Sequence, residues 1–182
     1  LERFKLQLES SEVSTKYTLR PNFSWAIKNI DSIVGDNFKK KYILIFPFSS
    51  PKLKHKQWPY YNNLIKIIKS HHLELDIVIA PGPNEIELSK KIDAIVVKNN
   101  NQSLNIMELA DLINKSFFVI SNDTGPAHMT AHLGKKGIVL FGSHTTPKKV
   151  SIETENFKAI VVDNLKNLAA ENVYNKFKSK LF

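Results

Sequence analysis

A chain of 182 residues, 42% of them hydrophobic, is long enough for one domain with its own core and too apolar to be disordered. It has no cysteine, which excludes disulfides and thiolate metal sites and fits a cytoplasmic location, and it contains no apolar run near the ~18 residues that a membrane span needs. The net charge of +9 would suit nucleic acid, an anionic membrane or a phosphorylated ligand. The cations, however, are almost all Lys, with only Arg3 and Arg20 to offer bidentate base contacts. They are also scattered, apart from clusters at 39–41 and 51–56, so most of the charge reads as solvated surface and no nucleic-acid partner is expected.

Taken in chain order, residues 1–41 are polar, lack the apolar core of a signal peptide and read as a leader or linker with a short helix near "NFSWAIKNID". The chain begins with Leu1 rather than Met, the start expected of a piece of a longer protein. From 42 to 182, short apolar runs alternate with helical spacing. "YILIFPF" (42–48) is a strand, followed by a helix that puts Tyr61, Leu64, Ile65 and Ile68 on one side. "LDIVIA" (75–80) is a second strand, "NEIELSKKI" a helix and "AIVV" (94–97) a third strand. The next helix carries a stripe of Ile106, Leu109, Ala110 and Ile113, and it leads into "FFVIS" (117–121). After a short helix come "GIVLFG" (137–142) and "AIVVD" (159–163), and an amphipathic helix closes the chain. Continuous apolar runs of this length suit strands buried on both faces. Their alternation with helices predicts an α/β fold, a Rossmann-like, mostly parallel sheet of six strands with helices on both faces.

Open α/β sheets bind ligands at the carboxyl ends of their strands, so the exit loops are the places to look. The fourth reads "SNDTGPAH". Pro126 favours a first helical position, which predicts Gly125 at the N-cap and a helix over 126–133 ended by Gly134. The amides near Ala127 and His128 would then face the loop with the positive end of the helix dipole, beside the Thr124 hydroxyl and the His128 imidazole. Asp123 and Thr124 could equally do no more than cap the helix. The first exit, "SSPKLKHKQWP", offers Ser49, Ser50 and Lys56 before Pro59, which is expected to open the next helix. Lys56 taken alone could be one more surface lysine and Trp58 a core residue. Two such cradles on one sheet suit a diphosphate.

The stretch "NDTGPAHMTAHLGKKGIVLFGSHTTP" resembles the signature of glycosyltransferase family 9, the lipopolysaccharide heptosyltransferases. "ILIFPFSSPKLKHKQWPYYNNLIKII", with its Lys-x-Trp-Pro, is similar to the family's other C-terminal landmark, and "APGPNEIELSKKI" resembles its acidic segment after the next strand. "LNIMELADLINKSFFVISNDTG" is similar to the helix that leads into the signature, and the likeness runs over about residues 42–150. It departs at Lys136-Gly137, where the family carries Pro and Thr, and at Thr130 and Ser143.

The resemblance implies the C-terminal, donor-binding half of a two-domain GT-B enzyme. It implies that Asp123, Thr124, Gly125 and His128 surround the diphosphate and sugar, with Ser49, Ser50 and Lys56 on the other side. Glu85 would then bond the ribose, and the backbone near Leu104 would lie by the base. The implied donor is ADP-heptose, or another nucleotide sugar, in an inverting transfer that needs no metal or other cofactor. The implied acceptor is a lipopolysaccharide core or lipid A sugar, met at the inner face of the cytoplasmic membrane. His128 and Asp123 are the candidate catalytic residues. The base is expected in an N-terminal acceptor domain, absent from these residues and supplied, if at all, as a separate partner. Two other readings stay open: an inactive nucleotide-binding remnant of a truncated glycosyltransferase gene, and a basic nucleic-acid-binding protein.

Overall fold

The computed structural model describes residues 2–16, 22–35 and 41–181. Arg20, Lys39 and Lys40 lie outside the described residues.

All six expected strands form. They are β1 (Lys41–Phe46), β2 (Leu75–Ile79), β3 (Ile95–Val96), β4 (Phe118–Asn122), β5 (Gly137–Phe141) and β6 (Phe157–Val161). They make one sheet in the order β3-β2-β1-β4-β5-β6, and every pairing is parallel. The chain runs outward from β1 to β3, then returns to start again at β4 beside β1. The β1/β4 seam is therefore the point where the strand order reverses, and crevices open there at the strand ends.

The period of two along each strand divides the core. Ile43 and Ile45 face α3 (Tyr61–His71) and α8 (Ala170–Lys178), in a cluster that also buries Trp58, Phe118 and Phe177. Tyr42, Leu44 and Phe46 face the other way, toward α5 (Ile106–Lys115) and α6 (Gly125–His132), with Phe141 and Phe157. α5 starts on a full capping box, in which the Asn105 side chain accepts from Met107 and Glu108 N–H while Glu108 accepts from Asn105 N–H.

Several boundaries differ from expectation, each for a local reason. β3 is only two residues long, an edge strand too short to template further pairing. β6 begins at Phe157 rather than 159, because Phe157 pairs with Gly137 at the start of β5. "NEIELSKKI" gives only one α-turn, α4 (Ile86–Ser89), after which Lys91 and Ile92 bond three residues back, to Leu88 and Ser89. Pro59 does not open α3, whose N-cap is Tyr60.

The expected short helix near "NFSWAIKNID" is a 3₁₀ turn at Ser24–Ala26 followed by one α-turn, α2 (Asp31–Val34). Ile30 is buried beside them, and its N–H donates to Asp111 on α5 (3.0 Å). Lys115 bridges Asp111 and Asp31 at 2.8 and 2.5 Å. This part of residues 1–41 is therefore fastened to α5. α1 (Glu2–Glu9) leaves Phe4, Leu6 and Leu8 exposed.

Candidate functional site

The exits of β1, β4 and β5 meet around one carboxylate. Asp123, the first residue past β4, is 4% exposed. Its Oδ2 takes Lys56 Nζ at 2.6 Å and His144 Nε2 at 3.0 Å, and His128 Nε2 stands 3.8 Å from Oδ1. Burial by itself pushes this carboxyl's pKa up. His128, Lys56 and His144 outweigh burial and hold it well below the usual carboxylate range. At neutral pH Asp123 is thus a fixed anion among cationic or potentially cationic groups.

Lys56 reaches Asp123 because the loop that carries it is pinned. Asn122, the last residue of β4, is fully buried and donates from Nδ2 to the Pro47 carbonyl at 2.8 Å. Its Oδ1 accepts from the Trp58 N–H and the Tyr61 hydroxyl, both at 3.1 Å. Trp58 in turn is buried and donates from Nε1 to Leu168 O at 2.8 Å, so the core placement open for it in the sequence is the one observed. We expect Asn122→Ala to lower stability by about 2 kcal/mol, because three buried partners lose their bonds at once. Urea unfolding checks this, and a loss under about 0.5 kcal/mol would show that the loop holds itself.

The start of α6 differs from expectation in one respect. The N-cap is Thr124, in extended conformation, and Gly125 and Pro126 are already helical. A residue before proline normally avoids the α region because its Cβ meets the ring, but glycine has no Cβ. Ala127 and His128 N–H both turn back to Thr124 O, at 3.0 and 3.4 Å, so neither is free to face the loop. Among the described residues no hydrogen bond engages the N–H of Thr124 or Gly125, and these two remain as anion donors. Gly134, at φ +67°, ends the helix in the left-handed conformation anticipated for it.

Two cavities meet over this helix start. One, of about 270 Å³, runs from Phe46 and Phe48 past Pro81 and Gly82 to Glu85, Leu104 and Leu109. The other, of about 300 Å³, holds Leu53, Lys56, Asp123 and His128. Ser49, Ser50, Thr124 and Gly125 line both. The structure thus gathers all nine candidate site residues into one continuous groove. Their readiness differs. Ser49 spends its hydroxyl proton on Leu53 O (2.9 Å), whereas among the described residues the Ser50 hydroxyl engages no hydrogen bond. Glu85 accepts from Gly82 N–H at 2.8 Å, and burial raises its pKa against that bond.

His144 and Asn122 were not among the sequence candidates. His144 sits in "FGSHTTP", at a strand exit and three residues past the end of β5, and that position was the available signal. Its ring stacks on Phe141 at 5.8 Å and 11°. Among the described residues no group of three or more His, Asp or Glu side chains is arranged to hold a metal ion.

A family model for glycosyltransferase family 9 (heptosyltransferase) matches residues 3–179. The chain belongs to glycosyltransferase family 9. It is 27% identical over 163 residues to the lipopolysaccharide core heptosyltransferase OpsX of Haemophilus influenzae, covering 86% of this chain and 45% of that protein. It superposes on the E. coli heptosyltransferase WaaC solved with ADP at a TM-score of 0.66, with 22% identity, over 78% of this chain and 44% of that one. The family 9 protein of Veillonella parvula gives a TM-score of 0.71 at 17% identity, covering 85% of this chain and 52% of that chain. The chain spans about half the length of these relatives. At these identities the structural likeness establishes the fold, that of one Rossmann-like half of a GT-B glycosyltransferase. Among the described residues no helix is long and apolar enough to cross a membrane.

Proposed function

We propose that residues 42–182 form the donor-binding domain of an inverting, metal-independent glycosyltransferase, with ADP-heptose as donor and a lipopolysaccharide core or lipid A sugar as acceptor. The observation that carries this reading is the Lys56–Asp123–His128 cluster at the β1/β4 seam, continuous with a groove that ends at Glu85 and Leu104. The donor class is supported by the relatives: the E. coli protein was solved with ADP, and the Haemophilus influenzae protein is a lipopolysaccharide core heptosyltransferase.

In this reading the adenosine lies between Phe46, Phe48 and Leu104, with Glu85 accepting from ribose hydroxyls. The diphosphate lies over Thr124 and Gly125 N–H and the Ser50 hydroxyl. As the sugar–phosphate bond breaks, negative charge grows on the leaving diphosphate. Lys56 and the start of α6 stabilise that charge where a metal ion would otherwise be needed. His128, half-exposed at the mouth of the cavity, donates to the same phosphate or to the sugar. Asp123 orients Lys56 and the two imidazoles. A carboxylate held so far toward its anion is a poor proton acceptor, so the base for the attacking hydroxyl comes from the acceptor side.

The test is a titration of the purified chain with ADP, UDP and GDP. ADP is expected to bind most tightly, and Lys56→Ala to weaken it by roughly 1–3 kcal/mol, or about 5–150-fold. Equal affinity for the three nucleotides would remove the ADP assignment, and unchanged ADP affinity in the variant would remove Lys56 from the site.

A further inference from the structure

A third cavity, of about 640 Å³, lies on the far side of His144, between the loops at 54–57, 142–144 and 163–166. Following the strand order, the groove of the donor site covers the ends of β2, β1 and β4, and this cavity covers those of β5 and β6. His144 is the shared wall. Its side chain is 9% exposed, and Nε2 is committed to Asp123. Among the described residues no hydrogen bond engages Nδ1, and no fully buried polar side-chain atom lacks a partner. Nδ1 therefore reaches open space. A neutral ring that donates from Nε2 to a carboxylate presents Nδ1 as an acceptor, the complement of a ligand hydroxyl.

The rest of the lining has a definite chemistry. Lys54 and Lys166 approach the cavity from opposite loops, joined by His55, and among the described residues neither lysine is in an ion pair. Asp163 and the Asn164 amide N–H add hydrogen-bonding groups for hydroxyls, the Asn164 Oδ1 being taken by Lys166 N–H, and among the described lining residues Leu165 is the one aliphatic side chain. Adenine would find no apolar sandwich here, and a neutral sugar would leave both lysines unanswered.

We propose that this cavity is a second ligand site, for a saccharide bearing an anionic group such as a carboxylate or a phosphate. Lys54 and Lys166 hold the anion, while Asp163, Asn164 and His144 Nδ1 hold hydroxyls. As the subsite for an acidic acceptor sugar it rests on the glycosyl-transfer reading, whereas as a binding site it does not. Because His144 touches both the ligand and Asp123, the two sites share one hydrogen-bonded wall.

The experiment is a chemical-shift titration of the isotope-labelled chain with glucose 6-phosphate, glucuronic acid, glucose and inorganic phosphate. At least one of the two acidic sugars is expected to move the resonances of 142–144 and 163–166 saturably, at least about tenfold more tightly than glucose or phosphate, and whichever binds better names the anion. The variant Lys54→Glu/Lys166→Glu changes two exposed residues, so folding is preserved. It is expected to lose the acidic sugar by about tenfold or more while ADP affinity stays within about twofold. The proposal is overturned if neither acidic sugar binds up to about 50 mM, if glucose or phosphate binds as well, or if the double variant still binds. ADP is read in the same samples. Sugar binding without ADP binding would sink the donor-site reading and leave this one, and the reverse result would do the opposite.

Discussion

Asp123→Asn is expected to cost about 3 kcal/mol of stability at neutral pH, the lower end of what removing one partner of a buried ion pair costs. The substitution keeps the shape and removes the charge. Lys56, whose side chain is only 20% exposed, would then stand as a cation without its anion, and His144 Nε2 would face a neutral amide oxygen in place of a carboxylate. Lys56 retains some access to water, which is why the lower end applies. If the loss comes from the stranded cation, replacing it too should restore part of the stability. The double variant Asp123→Asn/Lys56→Met is expected to recover about 1–2 kcal/mol.

The pH dependence gives an independent reading. Asp123 titrates below its ordinary value of 3.8, so its contribution is fully present above about pH 4 and fades as pH falls through the lower, folded value. The stability gap between the native chain and Asp123→Asn should therefore narrow from about pH 4 toward pH 2. Urea unfolding at several pH values measures it. A gap that stays constant over that range would mean that the carboxylate is not held by its cations.

Gly137→Ala is expected to destabilise by about 3 kcal/mol, the upper end for overpacking a core. Gly137 opens β5, paired with Val119 on one side and Phe157 on the other. A Cβ built on it would collide with the Val119 carbonyl oxygen and lie 2.8 Å from the Phe157 ring. The first obstacle is backbone in the middle of a sheet and cannot rotate away, so β4 and β5 would have to separate at Val119, on the strand that ends in Asn122. ADP binding should fall together with stability, because the same strands carry the site. Thermal and urea unfolding test this, and a loss below about 1 kcal/mol would show that the β4/β5 pair can open locally at little cost.

This glycine also marks where the sequence stops being informative. The departure at Lys136-Gly137 was visible against the family's Pro and Thr, but its cause was not. The Phe157 ring lies where a side chain at 137 would go, and that is a contact between strands separated by a whole helix and loop.

The sequence by itself determined the strand count, the alternation with helices and which exit loops line the groove. Strand existence follows from apolar runs of β-branched and aromatic residues, and exit-loop chemistry follows from Gly, Pro, Ser and Thr placed just after them. Both are local patterns, which is why Ser50, Lys56, Asp123 and His128 could be named before any contact was known, while Glu85 was named from the family resemblance. The ends of elements were less legible, because they depend on which carbonyl captures which amide. Thr124 displaced Gly125 as N-cap for that reason, and α4 unwound after one turn.

Only the tertiary structure decided the partners of Asp123. Lys56 and His144 lie 67 and 21 residues away from it in the chain, and no spacing rule connects them. Their meeting depends on the order β1-β4-β5 at the centre of the sheet and on Asn122 pinning the β1 exit loop. A lone histidine after a strand carries little meaning in sequence. It gains one when the fold turns one ring nitrogen to a buried carboxylate and leaves the other facing an open basic cavity.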